Sequence, residues 1–132
     1  MKFYIGSGLK NGDRVDYVSK KLEANGWRCT YCWTANIQGD EAAKDLITYA
    51  MAEQKGILDA DVVVILLPAG RGAHIELGMA LALRKKIYLC SASQESFSLE
   101  NTVDFYELPP IRKLVGPVDA LIEQIIQGEG VC

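Results

Sequence analysis

The segment LLPAGRGAHIELGMALALRKK, Leu66–Lys86, contains the chain's only histidine, His74. Two residues later comes Glu76, with no further charge before Arg84. An acidic residue in the first turns of a helix offsets the macrodipole by about 0.3–1 kcal/mol, and that role is open to Glu76. The surroundings suggest another. The helix is apolar nearly all round and is expected to be buried. A carboxylate with no sequence-adjacent cation, beside the Gly70–Gly72 loop, is a candidate for chemistry. Glu53 is the second candidate. Leu46, Ala50, Glu53 and Ile57 follow an i, i+4, i+7, i+11 stripe, which Glu53 interrupts. It either reaches out to water from the edge of the stripe or brings a second carboxylate to the same cleft. Two carboxylates at one cleft suit glycosidic chemistry: one attacks the anomeric carbon, the other handles the leaving group's proton. His74, at the start of its helix, fits an acid or base, a loop cap or a ligand contact.

Other chemistries have weaker support. There is no G-x-S-x-G, and a single histidine leaves a serine triad little to draw on. GSGLKNG is neither a Walker A loop nor a G-x-G-x-x-G. Cys29 and Cys32 form a C-x-x-C, but WRCTYCWT reads as a strand, where residues three apart face opposite ways. No second cluster supplies the remaining zinc ligands, so no metal and no organic cofactor is expected, and the thiols read as reduced.

The elements that must hold these residues alternate. Lys2–Ser7 reads as a strand and Asp13–Asn25 as a helix closed by Asn25-Gly26. Trp27–Trp33 reads as a second strand, with Trp27, Cys29, Tyr31 and Trp33 on one face. A long helix over Glu41–Leu58 follows, then Asp61–Leu67, a continuously apolar, β-branched run of the kind found in a central parallel strand. Ala73–Arg84 is a helix and Lys86–Ser91 a strand; Ser91–Pro110 is less regular, with a short fifth strand near Asn101–Phe105 left open. Gly116–Gly128 is a C-terminal helix with Pro117 in its first turn. This alternation implies one α/β domain over residues 1–132, a doubly wound parallel sheet in a flavodoxin-like, Rossmann-like order. Ligands of such sheets bind at the carboxyl ends of the strands, at the switch in strand order. The loops Gly6–Gly12, Trp33–Asn36 and Pro68–Ala73 meet there.

The totals agree with a single domain. The chain has 132 residues, 49% hydrophobic and 23% charged, with a formal net charge of −3. That charge provides no footprint for a nucleic acid polymer. No stretch is long and apolar enough to span a bilayer, and MKFYIGSG has no signal-peptide core, so a cytoplasmic location with no membrane partner is expected.

Taken together, FYIGSGLKN, YCWT, GILDADVVVILLPAGRGAHIELG and KKIYL resemble the nucleoside 2-deoxyribosyltransferase family, which includes relatives that hydrolyse 2′-deoxynucleoside 5′-monophosphates. The resemblance covers roughly Lys2 to Ser91, and more loosely Phe105 to Pro110. It implies a flavodoxin-like fold, Glu76 of the E-L-G element as nucleophile, Tyr4 as the tyrosine that orients it, and Glu53 as the carboxylate that handles the base and its proton. It also implies that Gly6, Ser7, Gly8, Gly70, Arg71 and Gly72 shape the sugar and phosphate site. From their places in the loops and at the helix start, Lys10, Trp33 and His74 are expected as further substrate contacts. Four positions depart from the family pattern. Glu53 stands where Asp is usual, and Cys32 replaces the aspartate of a YDWT loop. Gly70 replaces an acidic residue or a serine, and Gly8 lacks a phosphate-binding hydroxyl; Lys10 and Arg71 are the cations left to meet a phosphate.

The implied reaction is cleavage of the N-glycosidic bond of 2′-deoxynucleosides or their 5′-monophosphates, with 2-deoxyribose passed to another base or to water. The implied assembly is a homodimer or higher homo-oligomer whose site is shared between subunits, with Phe105 and Tyr106 placed to reach a neighbour's site. Two alternatives remain at this point: a non-catalytic nucleotide-binding sensor, and an N-glycosidase of ribonucleoside monophosphates.

Overall fold

The computed structural model describes residues 1–36 and 43–130. Five strands form one all-parallel sheet in the order β2-β1-β3-β4-β5, which is the flavodoxin-like order. They are β1 (Lys2–Ser7), β2 (Arg28–Cys29), β3 (Val62–Leu66), β4 (Lys86–Ser91) and β5 (Ile111–Val115). The helices are α1 (Gly12–Ala24), α2 (Ala43–Asp59), α3 (Arg71–Ala82) and α4 (Val118–Gly130). On the faces of the sheet α1 packs beside α4 and α2 beside α3.

The core follows from the strand sequences. All five residues of β3 are buried, as expected of a central strand covered on both faces. β1 and β4 flank it in register, with Gly6 opposite Ile65 and Ser7 opposite Leu66 on one side, and Leu66 opposite Cys90 on the other. Strand order reverses between β1 and β3, so their carboxyl ends open a crevice that no crossover connection covers. Beyond β3 the chain turns through a cis Leu67–Pro68 peptide.

Several boundaries differ from the sequence reading. β2 pairs only through Arg28 and Cys29, and Trp33 lies in a 3₁₀ turn, Trp33–Asn36. The edge of β1 is completed otherwise: Thr30 N–H donates to the Phe3 carbonyl at 2.9 Å, and the Trp33 indole Nε1–H donates to the Ile5 carbonyl at 2.6 Å. A side-chain donor thus takes the place of a longer strand. Cys32 therefore lies outside any strand, exposed, while Cys29 is half-buried, and both are free thiols. Among the described residues no group of three or more His, Cys, Asp or Glu could hold a metal. Cys132, Glu41 and Ala42 lie outside the described residues.

The fifth strand is Ile111–Val115 and not Asn101–Phe105, where the chain forms turns. An edge strand with Arg112 and Lys113 exposed shows no apolar run to read. α3 begins two residues earlier than expected, and it is not buried all round. Ala73, Leu77 and Ala80 face the sheet, while Ile75 is 61% exposed. On neighbouring α2, Ile47 and Met51 are each 65% exposed, and Leu46, the first residue of the expected stripe, is exposed as well. No helix among the described residues is long and apolar enough to cross a membrane.

Candidate functional site

At the carboxyl ends of β1 and β3 lies an open cleft of about 860 Å³. Ser7, Gly8 and Lys10 line it from the loop after β1, Trp33 from the 3₁₀ turn, and Pro68 to Ala73 from the loop and first turn after β3. α2 adds Ala50, Glu53, Gln54 and Ile57, and α3 adds Ile75, Glu76 and Met79. Much of this lining is apolar, with two carboxylates set among it.

Glu76 sits on the second turn of α3, where the helix leaves the crevice. The buried hydroxyl of Tyr4, in β1, donates to its Oε2. Tyr4 and Glu76 are 72 residues apart in sequence, and the β1–β3 pairing together with the β3–α3 turn brings them together. The other carboxylate oxygen, Oε1, lies over Gly6. A Cβ built on Gly6 would stand 2.8 Å from that oxygen and 2.9 Å from Ile65 Cδ1. Glycine is required there because the carboxylate occupies the space of a side chain.

Glu53 reaches the same point from α2 and shares a hydrogen bond with Glu76. Burial pushes Glu76 up to about 7; the Tyr4 hydrogen bond pulls it back, and the neighbouring Glu53 raises it further. Burial also raises Glu53, while its bond to Glu76 lowers it. The two carboxyl groups are therefore coupled, and Glu76 holds its proton well above the usual carboxylate range. Tyr4 is driven far above the ordinary phenol range by burial and then by Glu76, so it stays a donor. The arrangement provides an oriented carboxylate, a neighbour that can exchange a proton with it, and an apolar wall.

The remaining expected residues fall into two groups. Lys10, Trp33, Gly70, Arg71 and Gly72 line the cleft. Trp33 is 8% exposed, its indole pinned to the Ile5 carbonyl. α3 starts at Gly70 with no side-chain cap. Arg71, Gly72 and Ala73, all in the first turn, border the cleft, and their N–H groups have no intrahelical acceptor. Ser7 and Gly8 line the cleft but serve the scaffold as well. Ser7 Oγ donates to the Leu66 carbonyl at 2.7 Å and accepts from Asn11 Nδ2 at 2.9 Å, so its only proton is committed. Gly8 N–H donates to the Pro68 carbonyl at 3.1 Å and ties the two loops together.

His74 is not among the lining residues. Its Nδ1 meets the Gly70 carbonyl at 2.8 Å and its Nε2 meets the Tyr106 hydroxyl at 2.6 Å. Both ring nitrogens are occupied within the chain. Tyr106, expected to reach a neighbouring subunit, is instead 4% exposed and packed inside its own, while Phe105 is exposed.

Sequence reasoning overlooked Gln54. A signal was present: Ala50, Glu53, Gln54 and Ile57 have i, i+3, i+4, i+7 spacing, the pattern of one helix face.

No protein-family model matches the chain, and no curated protein matches its sequence. Solved structures do match. One is the Clostridium botulinum CMP N-glycosidase BcmB, at a TM-score of 0.66 and 16% sequence identity, covering 97% of this chain and 99% of that one. The likeness is one of fold over the full length.

Proposed function

We propose that the protein is an N-glycosidase of nucleotides, cleaving the bond between base and sugar with Glu76 as nucleophile. The observation that carries this reading is the trio of Tyr4, Glu76 and Glu53 at the strand-order switch, in an open cleft walled by apolar side chains. The ionised Glu76 attacks C1′, the C1′–N bond breaks, and the base leaves with the bonding electrons and takes up a proton delivered through Glu53. Water then attacks C1′ of the sugar ester and gives its proton to Glu53, and the C1′–O bond to Glu76 breaks. Two inversions give net retention. A second base in place of water would make the same protein a transferase.

The uncapped start of α3, with Arg71 and Lys10 beside it, fits the charge of a 5′-phosphate. The substrate class is therefore nucleoside 5′-monophosphates, and the family resemblance makes 2′-deoxynucleoside 5′-monophosphates the first reading. A ribonucleoside 5′-monophosphate is the second reading, favoured by the fold likeness to a CMP N-glycosidase. A non-catalytic sensor is the least favoured, because it has no use for a carboxylate held by Tyr4. The test is incubation with a panel of deoxy- and ribonucleosides and their monophosphates, with and without a second free base, following release of base. No release from any of them would refute the reading.

A homo-oligomer completes the proposal. Ile47 and Met51 of α2 and Ile75 of the neighbouring α3 are exposed apolar side chains, and Ile75 lines the cleft. Their burial against a second copy would extend the cleft wall that Ile75 and Met79 begin. Light scattering giving the monomer mass at assay concentration would refute this part alone.

A further inference from the structure

We propose that His74 is a positioning residue. By bridging the Gly70 carbonyl and the Tyr106 hydroxyl it aims the first N–H groups of α3 at the anionic end of the substrate. The inference rests on the nucleotide reading of the cleft.

The turn that carries these donors has little else to hold it. Gly70 has no side chain to cap the helix, and a Cβ built on Gly70 or on Gly72 meets nothing within 4 Å. One tether is the bond from Gly8 N–H to the Pro68 carbonyl. The other is His74. The Gly70 carbonyl accepts both the His74 backbone N–H at 3.1 Å and the ring Nδ1–H at 2.8 Å, so both of its lone pairs are used. In a planar trans peptide the carbonyl and the following N–H point in opposite directions. Holding the Gly70 carbonyl down along α3 therefore holds the Arg71 N–H the other way, and Arg71 lines the cleft.

The far end of the bridge is anchored. A carbonyl can only accept, so Nδ1 carries the proton and neutral Nε2 accepts from the Tyr106 hydroxyl. Tyr106 stacks on His74 with ring centroids 5.9 Å apart and presents itself edge-on to Phe97. The turn over Asp104–Glu107 thereby fixes the ring, and the ring fixes the peptide. His74 touches no substrate in this scheme.

The experiment compares His74→Phe, His74→Asn and Tyr106→Phe, each in a Glu76→Gln background that binds without turnover. Calorimetry gives the affinity for a nucleoside 5′-monophosphate that the wild type cleaves, and for the corresponding nucleoside. His74→Phe keeps the ring stack and loses both hydrogen bonds; it is expected to weaken the monophosphate about tenfold and the nucleoside less than about twofold. His74→Asn, whose amide can still donate to the Gly70 carbonyl, is expected to recover to within about threefold of the parent. Tyr106→Phe keeps the buried ring and loses only the anchor, so it carries the test if His74→Phe fails to fold; it is expected to lose about threefold on the monophosphate alone. Equal losses on both ligands, or none, would overturn the role of His74. If the wild type cleaves no member of the nucleotide panel and neither ligand binds, the nucleotide reading falls and takes this inference with it. Cleavage without a phosphate-selective effect removes the inference alone.

Discussion

Replacing Glu53 by Gln removes a charge from beside Glu76 while keeping a side chain that can still hydrogen-bond to it. In the wild type Glu76 is pushed up to about 7, by burial first and by Glu53 after the opposing pull of Tyr4. Two unit charges about 4 Å apart interact by roughly 4 kcal/mol at an effective dielectric of 20. Glu53 is half-buried, and solvent screening leaves about a third of that, ~1.4 kcal/mol, or about one pH unit. The sign follows from the charge. With no anion beside it, Glu76 ionises more readily, so the acid limb of kcat/KM should move from about 7 in the wild type to about 6 in Glu53→Gln. The limb belongs to the coupled pair in the wild type and to Glu76 alone in the variant. Loss of proton delivery lowers the height of the variant's profile but leaves the position of its limb free to report. Carbon-13 NMR titration of the glutamate carboxyls of the unliganded protein reads the same quantity with no substrate present. A limb that stays in place, or moves to higher pH, would refute the coupling of the two carboxyl groups.

Glu76→Gln is expected to abolish turnover and to stabilise the fold at alkaline pH. Folded Glu76 binds its proton more tightly than the unfolded chain does, so wild-type stability falls as pH rises from 4.5 through about 7. The variant escapes that loss and should gain about 2 kcal/mol in urea denaturation at pH 8, and little at pH 4; equal changes at both would contradict it. Gly6→Ala places a methyl group against Glu76 Oε1 and Ile65 Cδ1, and should cost at least about a hundredfold in kcat/KM with the protein still folded, since a displacement of about 1 Å is enough; near-normal activity would count against the placement of Glu76. Arg71→Ala should raise KM for a monophosphate about tenfold and leave the nucleoside within about twofold; equal effects on both would mean the phosphate is read elsewhere.

The legible parts of this sequence were those whose signal is local. β3 declares itself by an unbroken apolar run, and Glu76 by being the one acidic residue between Arg71 and Arg84. β2 was overread because its apolar and aromatic residues serve side-chain docking: Trp33 meets β1 through its indole and not through its backbone. β5 was missed because two of its five residues are exposed cations. At the site, spacing alone placed Glu53 and Glu76 as candidates. The partnership of Tyr4 with Glu76 depends on strand pairing across most of the chain, and it was reached through the family resemblance. The occupation of both His74 nitrogens had no sequence signal, since Tyr106 lies 32 residues away in an irregular stretch. Gly6 was legible as a loop glycine, but its real constraint, a carboxylate in place of a Cβ, is purely spatial.

The Trp33–Ile5 bond gives the protein a built-in optical probe. Its sequence holds two tryptophans, Trp27 and Trp33. Trp27 packs against Phe3 at the opposite end of β1, with ring centroids 6.4 Å apart. Trp33 has a fixed indole, held by a carbonyl and facing the cleft. A base or sugar that settles in the cleft changes the dielectric beside one indole and leaves the other as an internal reference. In Trp27→Phe the emission would come from the cleft wall alone, so occupancy could be followed by fluorescence before any product is known.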